Sequence, residues 1–248
     1  KKLQDAKSKL TNGYKTNKSD LTAEAGKDSD FTKTPEYQNA QAKGDDASKQ
    51  ALEGYKKALE DANTVLGDKD ATQAQVDEAL KKLQDAKSKL VDSHKTDKTK
   101  LQSESNADGD FAKTPEYQNA QAKGDDASKQ ALEAYKKALE DANKVLGDEN
   151  ATQKQVDEAL KKLQDAKKNL ADSHKTDKAA LQTESNADGD FTKTPEYQNA
   201  TAKGDDASKK ALDEYKKALD EANSVLGNEN ATQSDVDAAL KKLQDAKK

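Results

Sequence analysis

The sequence repeats itself with a period of 80 residues. Phe31, Phe111 and Phe191 each begin the phrase F-x-K-T-P-E-Y-Q-N-A, and the similarity continues through the whole period. Between residues 31–90 and 111–170, 52 of 60 positions are identical. A fixed period indicates an array of similar structural units that pack against their neighbours. The same observation argues against an ordinary single-domain enzyme of this length.

The repeat also predicts how the chain is divided. Residues 1–10, KKLQDAKSKL, recur at 81–90, the closing segment of a repeat, and the chain stops inside the same segment at Lys248. We therefore expect a piece of a longer array, with targeting and anchoring sequences outside it. The predicted parts are the end of a preceding repeat's last helix and three helical repeats, at residues 1–10, 11–90, 91–170 and 171–248.

Composition limits the kind of core that each unit can form. Hydrophobic residues make up 31% of the chain and charged residues 37%, with no Trp, Met or Cys. Such a chain buries thin apolar stripes between helices rather than a thick interior. High polarity is also typical of disordered chains. The net charge of only −5 and the helical spacing of the apolar residues argue against disorder.

The charges also exclude some partners. All 43 basic residues are Lys, and the chain is acidic overall, whereas nucleic-acid binding typically needs a basic patch and benefits from arginine. No apolar run approaches the ~18 residues of a membrane-spanning helix. We expect no nucleic-acid partner, no membrane contact within this segment, no disulfides and a monomeric chain.

Helix boundaries can be predicted from the middle repeat. Thr114-Pro115 is typical of a helix start, and this short helix should continue to Gly124. Asp125 and Asp126 should cap a second helix, because acidic side chains favour the N-terminal end of the helix dipole. That helix should end with Gly147 as a left-handed C-terminal cap.

A third helix should begin after Thr152, which forms a capping box with Gln155. Its apolar residues are spaced 3-4-3-4 along the seam Val156, Ala159, Leu163, Ala166 and Leu170.

His174 and Leu181 extend this seam without Gly or Pro until Gly189, which predicts one helix from Gln153 to about Glu184 shared by adjacent repeats. Asn12-Gly13 predicts a break at the equivalent place in the first repeat. The predicted fold is all-α, a linear tandem array of three-helix bundle modules.

Three phrases carry a resemblance to a known family: E-Y-Q-N-A, A-L-E-x-Y-K-K-A-L-x-x-A-N-x-V-L and A-T-Q-x-x-V-D-x-A-L-K-K-L-Q-D-A-K. Together they resemble FIVAR repeats, the helical modules of large Gram-positive cell-wall proteins that include giant extracellular-matrix-binding adhesins. The similarity covers essentially all 248 residues. Its most specific parts are A-T-Q-x-x-V-D and Tyr-x-Asn-Ala, which occurs at Tyr37, Tyr117 and Tyr197.

The resemblance implies extended three-helix modules in an extracellular, cell-wall-attached stalk, with no catalytic residues. It also leaves matrix-protein or glycan binding open as a second function. The stretch Asn106-Ala-Asp108-Gly109-Asp110 is not part of the family pattern, so the loop is expected to differ there.

Histidine is the first candidate for chemistry, but only His94 and His174 occur, and Tyr14 takes their place in the first repeat. A catalytic or metal-binding role would not survive that replacement, whereas packing at a module junction would. The acidic pairs Asp45-Asp46, Asp125-Asp126 and Asp205-Asp206 each follow a glycine and precede a helix, so capping explains them.

A calcium-binding loop is the most specific alternative site that the sequence suggests. Glu104, Asn106, Asp108 and Gly109 match positions 1, 3, 5 and 6 of such a loop, but Pro115 stands where the bidentate Glu is required. A solvated turn is the preferred interpretation. We therefore expect no catalytic, cofactor or metal site, and a mechanical role as a stalk or spacer, with neighbouring repeats as the main partners.

Overall fold

The computed structural model describes the backbone of residues 1–248 and every side chain except that of Asn12. The secondary structure is helical, and no strand occurs in residues 1–248. Helix α1 (Lys2–Gly13) is followed by three sets of five helices, in each of which three short helices precede two long ones.

The first set is α2 (Ser19–Ala25), α3 (Asp28–Phe31), α4 (Pro35–Lys43), α5 (Asp46–Gly67) and α6 (Gln73–Ser93). The second set is α7 (Thr99–Asn106), α8 (Asp108–Phe111), α9 (Pro115–Lys123), α10 (Asp126–Gly147) and α11 (Gln153–Ser173). The third set is α12 (Ala179–Asn186), α13 (Asp188–Phe191), α14 (Pro195–Lys203), α15 (Asp206–Gly227) and α16 (Gln233–Ala246).

The helix starts predicted from the sequence are confirmed. Thr114 caps α9 by accepting the N–H of Tyr117, and Pro115 occupies the first helical position. Asp125 caps α10 by accepting the N–H of Ser128 at 2.8 Å. Thr152 and Gln155 exchange hydrogen bonds at the start of α11, as a capping box requires.

The predicted left-handed cap at Gly147 is wrong. Gly147 is the last residue of α10, and among the described residues only Gly44, Gly124 and Gly204 have positive φ. The left-handed caps therefore end the short helices α4, α9 and α14. There the chain must turn within two residues to begin the next helix, which favours glycine.

The helix predicted to be shared by adjacent repeats is also wrong. α11 ends at Ser173 and α12 begins at Ala179, so a connector separates the repeats. The backbone of α1 ends at Gly13, the equivalent of Ser173, so the predicted break at Asn12-Gly13 is not special to the first repeat. The side chain of Asn12 itself lies outside the described residues.

The acidic segment before Phe111 is not the solvated turn expected from the sequence. It forms the end of α7 and the first three residues of α8. Asp108 Oδ1 accepts a hydrogen bond from the Tyr135 hydroxyl at 2.9 Å, and this bond ties α8 to α10. An aspartate–tyrosine contact thus orders a segment whose composition is typical of a turn.

In repeat 1, the two long helices pack along each other, and the short helices α2 and α4 each lie against both. The bundle thus has three sides, one of them broken into short helices. Its core is a thin seam with an aromatic cluster, formed by Leu21, Phe31, Tyr37, Ala40, Tyr55, Ala58, Ala62, Ala71, Val76, Ala79, Leu83 and Leu90. Repeat 3 has an equivalent core, formed by Leu181, Tyr215, Ala218, Ala222, Val236, Ala239 and Leu243.

The chain divides into two compact units, and the division falls inside repeat 2. The first unit contains residues 1–101 and 144–158, and the second contains residues 102–143 and 159–248. The first therefore holds the whole of repeat 1 together with the connector and the turn between α10 and α11. Among the residues described here, no helix is both long enough and apolar enough to cross a membrane.

Candidate functional site at the repeat junctions

One asparagine organises the junction between repeats 1 and 2. Asn39 lies on α4 and is buried. Its amide nitrogen donates to the carbonyl oxygen of His94 and to Thr96 Oγ1, both at 2.9 Å. Its amide oxygen accepts the backbone N–H of Gln153 at 2.7 Å. We call this set of three hydrogen bonds the asparagine hub. It binds the end of α6 to the beginning of α11.

The junction between repeats 2 and 3 contains a second hub with the same geometry. Asn119 donates to the carbonyl oxygen of His174 at 2.9 Å and to Thr176 Oγ1 at 3.0 Å. The N–H of Gln233, the first residue of α16, donates to Asn119 Oδ1 at 2.8 Å. Because an N–H at a helix start has no partner within the helix, Asn119 completes the cap of α16 from the preceding repeat.

The connector is tied to the repeat that it enters. Thr96 Oγ1 donates to the carbonyl oxygen of Ala151 at 2.8 Å. The ammonium of Lys98 donates to the carbonyl oxygens of Leu146 and Asp148, at 3.1 and 2.6 Å. Free carbonyls at a helix C-terminus carry the negative end of the helix dipole, so a lysine stabilises this end of α10.

The two histidines lie buried at the junctions, between two hydrogen-bond partners. His174 Nδ1 is 2.8 Å from the carbonyl oxygen of Leu170, and Nε2 is 2.9 Å from Ser128 Oγ. Since a carbonyl oxygen only accepts, Nδ1 donates to it, and in the tautomer that carries its single proton on Nδ1 the other nitrogen, Nε2, accepts from the serine hydroxyl. His94 has the same two contacts, with Leu90 and Ser48. In both junctions the ring bonds to a carbonyl in the last turn of a long helix.

The outer ends of the chain lack these contacts. Asn199, the equivalent of Asn39 and Asn119 in repeat 3, is exposed. Tyr14, which stands where the other repeats have histidine, is 84% exposed. The described residues therefore form two complete hubs, and Asn199 is a third, exposed copy of the hub asparagine.

The residues considered for calcium binding have other partners. Glu104 forms an ion pair with Lys167 at 2.8 Å, and the same ammonium lies over the Phe111 ring, 5.1 Å from its centroid. Asp108 accepts from Tyr135, as described above. Burial and this hydrogen bond raise the pKa of the Tyr135 hydroxyl. Within the described part of the chain, no three His, Cys, Asp or Glu side chains are grouped to hold a metal ion.

The first aspartate of each acidic pair is a helix cap. Hydrogen bonds from the hydroxyl and the backbone N–H of Ser128, with a smaller contribution from Lys123, lower the pKa of Asp125 to about 2. The equivalent contacts lower the pKa of Asp45 to about 2 and that of Asp205 in the same direction. These carboxylates are ionised at neutral pH, and they accept hydrogen bonds from the first turn of the helix that they begin.

Chemically, the junctions hold chains of hydrogen bonds rather than a reactive group. Among the described side chains, no buried nitrogen or oxygen lacks a partner. A shallow cleft of about 450 Å³ opens beside the second junction, next to His174, Lys175, Gln233 and Asp237. Gln233 Nε2 donates to Asp237 at 2.9 Å, so the side chains of this cleft also bond to each other.

Sequence reasoning did not assign the hub residues. It identified Tyr-x-Asn-Ala as a specific element but gave its asparagine no role, and it passed over the lysine and threonine of the connector. The sequence did contain one sign that the threonine and the lysine of the connector matter. Thr and Lys are unchanged in all three connectors, at Thr16 and Lys18 and their equivalents, whereas position 17 is Asn in one and Asp in two.

Comparison with known proteins agrees with this repeated architecture. The FIVAR domain model matches three consecutive stretches, residues 6–91, 97–171 and 177–248. No curated protein and no solved structure matches the chain. FIVAR domains are found in cell-surface proteins. Because the three matches together cover most of the sequence, the chain belongs to the FIVAR family, as a tandem array of three FIVAR domains.

Proposed function

We propose that this array is a non-catalytic stalk or spacer of a bacterial surface adhesin, attached to a Gram-positive cell wall through an anchor outside this segment. In this role it projects a more distal domain from the cell surface. Its partners are the neighbouring repeats of its own chain, and it acts as a monomer.

The observation that carries the proposal is the repetition of one module joined by one kind of junction. Asn39 and Asn119 make the same three contacts, so each junction adds a further copy of the same unit by the same bonds. A function that depends on length needs repetition of this kind, whereas a binding site needs only one copy of a surface.

The surface chemistry supports the same role. Exposed lysines pair with acidic residues one helical turn away, as Lys161 does with Asp165 at 2.8 Å. Among the described residues, the exposed large hydrophobic side chains are Leu3, Leu10 and Tyr14, all near the start of the chain. A mixed-charge surface favours solubility and gives little of the apolar contact that dominates protein interfaces.

The proposal is tested by replacing the three repeats, in the full-length protein, with unrelated helical modules of equal total length. Adhesion should be kept, and it should weaken when the replacement is shortened. Loss of adhesion at constant length would contradict the spacer role.

The alternative is a binding module for a host matrix protein or a glycan. The two are separated by immobilising the 248-residue chain and measuring the binding of purified matrix proteins and glycans. Saturable binding would replace the spacer proposal with the alternative, and absence of binding at high concentration would support the spacer.

A further inference from the structure

We propose that the two asparagine hubs are stiff joints, which hold consecutive repeats in one relative orientation. The inference rests on the proposed spacer function and deepens it, because a spacer with free joints would fold back on itself. Asn39 and Asn119 are the positioning residues, and the partner of each is the following repeat of the same chain.

Each hub combines three hydrogen bonds that point in different directions. Asn119 uses both amide hydrogens and its oxygen, and the three partners belong to the end of α11, the connector and the start of α16. Hydrogen bonds weaken steeply when donor and acceptor are misaligned. Three of them on one short side chain therefore leave little freedom for α16 to tilt against α11.

The polar groups of an asparagine side chain match what each hub requires. Asn119 is 8% exposed, so its polar atoms have little access to water. The site needs two donors and one acceptor on a short side chain, a combination that asparagine provides. Aspartate has nearly the same shape but no N–H. It would place a carboxylate oxygen against the carbonyl oxygen of His174.

The residues of each hub lie within one compact unit of the chain. Asn39, the connector from His94 to Lys98 and Gln153 belong to the same unit as repeat 1, and Asn119, His174, Thr176 and Gln233 belong together to the second unit. The hub bonds are thus contacts inside compact units.

The experiment measures the distance distribution across the second junction by electron spin resonance. Labels are attached to cysteines that replace Lys137 on α10 and Lys217 on α15, two exposed lysines. The chain contains no native cysteine, so these are the only attachment sites. The otherwise unsubstituted chain should give one narrow distance population.

Two variants remove the hub, and each has a matched control in the same chain. Asn119→Asp removes both donors, and Asn199→Asp makes the same change at the exposed equivalent. Gln233→Pro removes the N–H that Asn119 accepts while suiting the first position of α16. Gln73→Pro removes the same glutamine side chain from α6, where no asparagine from a preceding repeat is present in the chain. Thr72 and Thr232 have extended backbones that tolerate a following proline.

We expect Asn119→Asp and Gln233→Pro to lose the narrow population and give a broad one, with far-ultraviolet circular dichroism unchanged. The two controls should keep the narrow population. A narrow, unshifted population in both hub variants would overturn the stiff joint. If Asn119→Asp unfolds the chain, Gln233→Pro against Gln73→Pro decides the question. Neither result depends on adhesion, so the joint can fail while the spacer role stands.

Discussion

At the scale of single residues, the junctions are built from polar side chains that satisfy one another while buried. Ser128 links the start of α10 to the His174 ring, and that ring links to the end of α11. Buried polar groups of this kind contribute little net stability when paired, but they are costly when a partner is lost. Their arrangement therefore specifies how the helices meet more than it adds to the stability of the bundle.

Removing one hydrogen-bond partner of His174 should therefore cost more stability than the paired contact contributes. In Ser128→Ala the buried Nε2 loses its donor, so we expect the free energy of unfolding to fall by about 1–3 kcal/mol. Ser208→Ala makes the same change in repeat 3, where no histidine follows in the sequence, and should cost clearly less. Urea denaturation followed by circular dichroism measures both. Equal losses in the two variants would show that the histidine contact contributes nothing.

The capping aspartates should make stability depend on acid. The pKa of Asp125 is lowered to about 2 in the folded chain, against about 3.9 for an unfolded aspartate. A lowered folded-state pKa contributes stability that is present above the unfolded pKa and lost as pH falls towards the folded one. Asp125→Asn keeps a good cap without the charge, so its stability should change less between pH 4 and pH 2, taken as roughly these two pKa values.

The measurement is the thermal midpoint as a function of pH. Asp126→Asn, one residue further on, leaves the capping carboxylate in place and should follow the unsubstituted chain. A steep fall in the Asp125→Asn variant, as large as in the unsubstituted chain, would contradict the assignment of this acid sensitivity to the cap.

At the scale of helices, local signals were sufficient wherever the chain itself determines the boundary. The Thr-Pro, Asp-Asp and Thr-x-x-Gln signals each begin a helix in the structure, and the 3-4-3-4 seam of α11 is buried apart from the half-buried Ala166. These signals act within one turn of helix, so they can be read from a single sequence.

The connector could not be predicted because its break is made by distant residues. The segment from Asp172 to Lys178 contains neither Gly nor Pro, and its pattern allows a continuous helix. In the structure, Asn119 donates a hydrogen bond to the carbonyl oxygen of His174, and Lys178 donates to the carbonyl oxygens of Leu226 and Asn228. These contacts join residues about 50 positions apart, and they outweigh local helix propensity.

Gly124 and Gly147 both lie at helix ends, but Gly124 is a left-handed cap and Gly147 is not. Substituting each of them tests this difference. Gly124 has φ of 60°, so Gly124→Ala should lower the free energy of unfolding by about 1 kcal/mol because a side chain is strained there. Gly147 lies in α10 with open space around the Cβ position. Gly147→Ala should therefore be neutral or stabilising, by about 0.4–1 kcal/mol. Chemical denaturation of both variants checks the opposite signs.

At the scale of the whole molecule, the fold class was predictable and the joints were not. Near-identical copies at an 80-residue period make an array of similar bundles almost unavoidable, and the FIVAR match places all three copies in one family. The way in which one copy contacts the next depends on a few polar residues, such as Asn39 and Thr96. The 3-4 spacing that reveals core residues does not reveal these, because each is a single polar position in its repeat.

An exact deletion of one period tests whether the hubs are interchangeable. Removing residues 91–170 joins Leu90 to Ala171, and the following Asp-Ser-His-Lys-Thr is the same in both connectors. Asn39 should then meet His174, Thr176 and Gln233 in place of its native partners. In a linear array, stability is approximately a sum of repeat and nearest-neighbour terms. We expect a folded two-repeat chain whose thermal midpoint changes little.

The control deletion removes half a period, residues 91–130, and fuses α6 to α10 at Ala131, inside the first half of that helix. It takes away α7, α8, α9 and the start of α10 and leaves one bundle incomplete, so helicity and thermal midpoint should both fall. Circular dichroism and calorimetry on the two deletions decide the matter. If the full-period deletion lost as much stability as the half-period one, the hubs would be specific to their own repeats. The repeats would then form one cooperative unit rather than a sum of equivalent modules.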